Sequence, residues 1–141
     1  MSVVQYREDS TSLILNGFAI VDLTEGDSIA LAFPNPGTGR VNGENGAVTI
    51  VERVDKDVAN MTINVTKNSE ADRFLSRAKS QGLTVFDGSW KESIIVDNSV
   101  SVDSYALAGG SFVEQPTNTK NNQDPNHLMA YVIQFRTAIR T

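Results

Sequence analysis

The sequence predicts a mainly β protein: an antiparallel β-sandwich or barrel with one α-helix packed on it and a long inter-strand loop at about residues 34–46. Three observations carry that expectation. Short runs of apolar alternation recur along the chain, separated by turn signals. Only one segment, residues 69–82, has a helical stripe with a cap at each end. All four prolines fall in or beside two long polar loops, residues 34–46 and 115–126.

The elements follow in order. Residues 1–12 are polar and weakly patterned, and read as an N-terminal arm that orders only against a neighbour. Leu13 to Val21 reads as a strand around Gly17, Glu25-Gly26-Asp27 as a turn, and Ser28 to Phe33 as a second strand. Ile29, Leu31 and Phe33 fall on one face of it, Ala30 and Ala32 on the other. The segment Pro34, Asn35, Pro36, Gly37, Thr38, Gly39, Arg40, Val41, Asn42, Gly43, Glu44, Asn45, Gly46 is long for a loop inside a compact domain. Loops of that size usually carry function.

Ala47 to Arg53 reads as a third strand, and residues 54–57 as its turn. Val58 to Thr66 has the clearest period of two in the chain. Ala59, Met61, Ile63 and Val65 form an apolar face, and Asn60, Thr62, Asn64 and Thr66 a polar face without charge. A strand meeting bulk water would be expected to carry Lys or Glu there. Ser69 then caps a helix, with Asp72 three residues later in an acidic variant of the capping box. Ala71, Phe74, Leu75 and Ala78 form its apolar stripe, so Phe74 and Leu75 are the expected core cover. Arg73, Arg77 and Lys79 lie off the stripe, and Gly82 is a C-terminal stop.

Beyond the helix, the pattern predicts a turn at Asp87-Gly88 and one strand from about Ser93 to Asp103. In that strand Ile94, Val96, Val100 and Val102 oppose Ile95, Asp97, Ser99, Ser101 and Asp103. Tyr105 to Glu114 is a further strand bent at Gly109-Gly110. His127 to Ile139 is the last, with Met129, Tyr131, Ile133 and Phe135 on one apolar face. No internal repeat or second domain is visible, and 141 residues suit one domain with a substantial core.

Composition limits the function classes. The formal net charge is −5, against the clustered basic face expected of a protein that grips duplex DNA. With no cysteine, disulfide stapling and thiolate chemistry are excluded. No apolar run approaches a membrane span, and no Sec-type leader is visible at the start. The single histidine, His127, has no identifiable triad partners, and one His without Cys makes a poor zinc set. Gly37-Thr38-Gly39-Arg40 lacks the Lys-Ser/Thr pair and the following helix of a phosphate loop. Residues 22–27 lack the alternating acids of a calcium loop. No catalytic, metal or cofactor residue is therefore assigned, and the chain reads as a building block rather than an enzyme.

Three segments carry a family likeness: Gly17-Phe18-Ala19-Ile20 leading to Glu25-Gly26-Asp27; GENGAVTIVERVD at 43–55; and TINVTKNSEADRFLSRA at 62–78. Their order resembles the tail tube proteins of phages with contractile tails, a family related to pyocin and type VI secretion tube subunits. The resemblance covers most of the chain as an order of elements, not as an invariant motif.

It implies a virion structural protein, assembled in the host cytoplasm, whose hexameric rings stack into a hollow tube. Inner strands of six copies would close a continuous barrel around the passing genome. The implied partners are further copies of the chain, a sheath protein, baseplate and tail-terminator proteins and a tape-measure protein. No cofactor and no membrane are implied. The loop at 34–46 would reach the next ring.

The lumen-facing candidates are Asn60, Thr62, Asn64 and Thr66 on one strand, and Asp97, Ser99, Ser101 and Asp103 on another. Either face could instead meet solvent on the outside. Six copies together would carry about −30 charges, mildly repelling DNA. A soluble β-sandwich binding module, such as a carbohydrate-binding domain of a baseplate, is the alternative. Its only aromatic platform would be Trp90 with Tyr105 or Tyr131.

Overall fold

The computed structural model describes residues 3–21, 28–82, 85–116 and 128–141, with only the backbone described for 4–10. The turn expected at Glu25-Gly26-Asp27, His127 and most of the 115–126 loop lie outside the described residues. Among those described there are ten strands and one helix, and every strand pair is antiparallel.

The chain opens with β1 (Val4–Leu15), which turns at Asn16-Gly17 into β2 (Phe18–Ile20). Both turn residues have positive φ, 50° and 80°. That matches the twist of a two-residue hairpin and suits Asn-Gly. The strand expected from Leu13 to Val21 is thus two strands folded back at Gly17. The expected arm at 1–12 belongs largely to β1, whose Val4, Gln5 and Tyr6 pair with Val96, Ile95 and Ile94.

Next come β3 (Ile29–Ala32), β4 (Thr38–Asn42), β5 (Val48–Glu52) and β6 (Ala59–Thr66). Helix α1 (Glu70–Ser80) follows, then β7 (Phe86–Val96), β8 (Ser99–Glu114), β9 (Leu128–Phe135) and β10 (Thr137–Arg140). Strand β7 runs straight through Asp87-Gly88, so no turn forms there. The single strand expected at 93–103 is instead a hairpin: Asp97 and Asn98, at φ 50° and 65°, turn the chain between β7 and β8.

Strand β8 belongs to two sheets. Its first half pairs with β7 on one edge and with β10 on the other. Its second half pairs with β9, which continues to β6 and then β3. The bend between the halves sits at Gly109-Gly110, as the glycines predict. Gly109 has φ +67°, and a Cβ on Gly110 would lie 2.5 Å from the Phe135 ring. Only glycine allows that approach.

The core lies between the two sheets and under α1. Leu13, Leu15, Ile20, Met61, Ile63, Leu75, Phe86, Tyr131, Ile133 and Phe135 are buried. Ser69 caps α1 through its side chain, which accepts from the Asp72 N–H. Leu75 is buried as expected, worth about 1.5–3 kcal/mol. Phe74 is half-buried and lies flat on Phe18, with ring centres 4.3 Å apart. Ring contacts then run from Phe74 to Phe86, Phe112 and Tyr131, so one aromatic chain joins the helix to both sheets.

Candidate assembly surfaces

Strands β4 and β5 form a two-stranded arm outside the main sheet. Its base is closed by the Arg53 N–H on the Gly37 carbonyl (3.1 Å) and by Asn35 Nδ2 on the Asp55 carbonyl (3.2 Å). Its tip is a tight turn in which the Gly43 N–H donates to Ala47 O at 2.6 Å and the Gly46 N–H to Gly43 O at 3.2 Å. The predicted loop residues Pro34, Asn35, Pro36 and Gly37 lead into the arm, Thr38, Gly39, Arg40 and Asn42 lie in β4, and Gly43 and Glu44 make the tip.

The register puts Arg40 opposite Ile50 and Val41 opposite Thr49, so apolar side chains emerge on both faces. Val41, Ile50 and Val51 are each about 60% exposed or more (67%, 61% and 60%). A projecting ribbon with exposed apolar residues on both faces is a candidate interaction element. Sequence reasoning found the segment but missed these residues. Their signal was Val48, Ile50 and Val51, which break the one-sided alternation of a half-buried strand. Charges gather at the base, where Arg53 pairs with Asp55 and Lys56 with Glu52.

The second surface is the outward face of β3, β6, β9 and the end of β8. Asn60, Thr62, Asn64 and Thr66 all lie on it, as the alternation predicts. Opposite them on β9 stand Gln134, Val132, Ala130 and Leu128, and Ala30 and Ala32 continue the face across β3. Gln134 Nε2 donates to Asn60 Oδ1 at 3.0 Å. Glu114, opposite Val132, is the one charge on this face among the described residues.

Asp97, Ser99, Ser101 and Asp103 do not form the second strand face that the sequence suggested. Asp97 sits in the β7–β8 turn, where its carboxylate accepts from the Val3 N–H at 2.9 Å. Ser99, Ser101 and Asp103 follow one side of β8, the side on which Leu107 enters the core. Asp103 holds Arg140 through two hydrogen bonds of 2.8 and 3.2 Å. The structure therefore does not bring the two predicted faces together.

The aromatics of the binding-module reading do not form an open platform either. Tyr131 is buried, and Trp90 is half-buried and stacked on Tyr105 with centroids 5.6 Å apart. On the outside of α1, Arg73 and Arg77 are exposed.

Two sheet edges flank the weakly charged outward face of β3, β6, β9 and the end of β8. Strand β3 pairs only with β6, and residues Ser111–Glu114 of β8 pair only with β9 among the described residues. These edges bound the face of Asn60, Thr62, Asn64 and Thr66 on opposite sides.

The architecture is two antiparallel sheets sharing one bent strand, with one capping helix and a projecting hairpin. Solved structures with this fold include two that align over nearly the whole chain. Hcp1 from Flavobacterium johnsoniae aligns over 92% of this chain and 93% of its own, at TM-score 0.54 and 17% identity. A chain of the PVC sheath–tube complex, an extracellular contractile injection system in the extended state, aligns over 97% and 91%, at TM-score 0.62 and 7% identity. No family model and no curated protein matches the sequence. The resemblance to tail tube proteins drawn from the residues thus holds at the level of the fold.

Proposed function

We propose that the chain is the structural subunit of a contractile-type tail tube, assembling into hexameric rings stacked around a lumen that conducts the genome during ejection. One observation carries this reading. Among the described residues, a four-stranded sheet face with a single charge is bounded by two unpaired edges, in a fold shared with chains of contractile injection systems. Unpaired edges on a soluble monomer invite pairing, and ring closure removes them.

The topology makes that closure possible. Strand β3 is antiparallel to β6, β6 to β9 and β9 to β8, so β3 and β8 run in opposite directions. Rotation about a ring axis preserves each strand's sense along that axis. The β8 end of one copy therefore meets the β3 of the next as an antiparallel pair, and the sheet continues from copy to copy. The joint is heterologous, the kind that closes into a ring.

The face carrying Asn60, Thr62, Asn64 and Thr66 then lines the lumen. Among the described residues it offers DNA no cation, and so no counterion-releasing contact to hold it. The Ser99, Ser101 and Asp103 row, on the core side of the other sheet, is no part of this wall. The arm containing residues 34–46 contacts the next ring and buries Val41, Ile50 and Val51. The outer surface, including Arg73 and Arg77, faces a sheath. Baseplate, terminator and tape-measure proteins complete the device, which is built in the host cytoplasm. No step requires a catalytic group.

Negative-stain electron microscopy of the concentrated protein, with light-scattering mass on the same sample, tests the reading. Six-fold rings or hollow tubes are expected. A variant with residues 38–52 replaced by a short linker, across the base that Gly37 and Arg53 already close, should form rings that do not stack. A chain that stays monomeric at every concentration, and does not extend tubes already nucleated on a baseplate, overturns the proposal.

A further inference from the structure

The chain contains three Asn-Gly steps, Asn16-Gly17, Asn42-Gly43 and Asn45-Gly46, and the fold treats them differently. Asn-Gly is the dipeptide most open to spontaneous deamidation, because glycine leaves the attacking amide unhindered. Reaction requires a free side-chain amide and a following N–H that can leave its hydrogen bond.

Asn16 lacks a free side-chain amide. Its Nδ2 donates to the Val85 carbonyl and its Oδ1 accepts from the Asp87 N–H, both at 3.0 Å, and its own N–H holds the Asp87 carbonyl at 2.8 Å. Asn42 lies in the β4–β5 ladder opposite Val48, and its Oδ1 accepts from Arg40 Nε at 3.1 Å. The following N–H, on Gly43, is tied to Ala47 O at 2.6 Å.

Asn45 stands in the turn at the arm's tip, exposed, with no side-chain hydrogen bond among the described residues. Its neighbour Gly46 has φ +80° and open space around its Cα. The Gly46 N–H is held only by the 3.2 Å turn bond to Gly43 O. Opening that turn frees the nucleophile and disturbs no core contact.

We propose that Asn45 is a self-modifying site of this protein, converting spontaneously to aspartate and isoaspartate in the free subunit. The Gly46 nitrogen attacks Asn45 Cγ, the side-chain nitrogen leaves as ammonia, and a five-membered imide forms. Water then opens the imide at either carbonyl. Opening at the side-chain carbonyl gives aspartate. Opening at the main-chain carbonyl routes the backbone through the side chain and gives isoaspartate. Either product adds one negative charge at the tip. Resting on the proposed inter-ring role of the arm, stacking covers this turn and halts the reaction, so the modification marks subunits that were never assembled.

The test incubates the purified protein at mildly alkaline pH and maps it by mass spectrometry over time. Trypsin releases residues 41–53 as one peptide, and its fragment ions separate Asn42 from Asn45. The expected result is progressive loss of the unmodified peptide, with the mass gain of replacing NH₂ by OH located at Asn45. Conversion at Asn16 and Asn42 should be severalfold slower. Asn45→Gln should abolish the early product, and Asn42→Gln should leave it unchanged. Equal or faster conversion at Asn16 or Asn42, or a stable Asn45, overturns the proposal. Running the same course on assembled tubes separates the two claims. Conversion in free and stacked protein alike keeps the site but removes the tip from the inter-ring contact.

Discussion

The Tyr131 hydroxyl donates to the Asp72 carboxylate at 2.6 Å, inside the core, and so joins the first turn of α1 to the middle of β9. Asp72 has further duties. Its other oxygen accepts from the Asn68 N–H at 2.9 Å, and its own N–H caps onto Ser69. One carboxylate thus closes the β6–α1 junction and fixes the helix on the sheet whose far face is the proposed lumen. Tyr131→Phe removes the buried donor and leaves a carboxylate oxygen without it. A loss of about 1–3 kcal/mol is expected in denaturant unfolding, with the fold retained.

The same pair sets an alkaline limit on stability. Burial, with the hydrogen bond to Asp72, pushes the Tyr131 phenol up from 10.0 to about 12. The folded state therefore holds the phenolic proton at pH values where the unfolded chain has released it. This contribution is full below about pH 10 and is lost as pH rises through about 12. A shift of about two units corresponds to ~3 kcal/mol. Unfolding free energy measured from about pH 9 to about pH 12 should fall more steeply in the parent than in Tyr131→Phe. Parallel curves would show that the phenol's environment does not shape this limit.

The bend in β8 depends on absent side chains. A Cβ on Gly110 would meet Phe135 Cε1 at 2.5 Å and Ile133 Cγ2 at 3.0 Å. Gly110→Ala should therefore cost about 1–3 kcal/mol through overpacking. Combining it with Phe135→Leu, which vacates the ring's position, should recover part of the loss measured for the two single variants added together. Strictly additive losses would place the strain elsewhere.

What the sequence disclosed follows from how local each signal is. Ser69, Asp72 and the Ala71, Phe74, Leu75, Ala78 stripe lie within ten residues, so α1 was legible almost to the residue. Strand β6 was legible because its alternation is unbroken. The Asp97-Asn98 turn was hidden because two residues preserve a period of two. Ile94, Val96, Val100 and Val102 keep their alternation through it, although Ile94 stands opposite Ser101 and Val100 opposite Ile95. The β4 strand was hidden for another reason. Thr38-Gly39-Arg40 has little strand propensity of its own and takes its ladder from β5. Of the two candidate faces, Asn60, Thr62, Asn64 and Thr66 share one side of a single strand, as their alternation predicts, whereas the run from Asp97 to Asp103 is divided by that turn.

The wall's lack of cations can be tested by adding some. Thr62 and Asn64 lie on the outward side of β6 and are half-buried, so lysines there can extend outward without entering the core. Thr62→Lys with Asn64→Lys should leave folding and tube assembly intact. Genome ejection, followed by DNA release or infectivity, should fall because six rows of paired cations would bind passing phosphates. The defect should ease as salt is raised. Normal ejection in assembled tubes would move this face out of the lumen.

The joint between copies is the most direct test, and the chain's lack of cysteine provides a clean background. Ala30 and Ala32 face outward on the β3 edge, and Ser111 faces the same way on the β8 edge, opposite Gln134. If neighbouring copies pair antiparallel across these edges, facing residues come within about 4.5–5.5 Å between Cα atoms, a separation that a disulfide spans. Ser111→Cys combined with Ala30→Cys or with Ala32→Cys brackets the register, because both β3 positions lie on the same face. Oxidised rings of one of these double variants should run on a denaturing gel as a ladder ending at six subunits. Each single-cysteine variant should give no ladder, since a heterologous joint never sets the same edge against itself. Rings that form normally yet give no ladder with either pairing would mean that the subunits close through other surfaces.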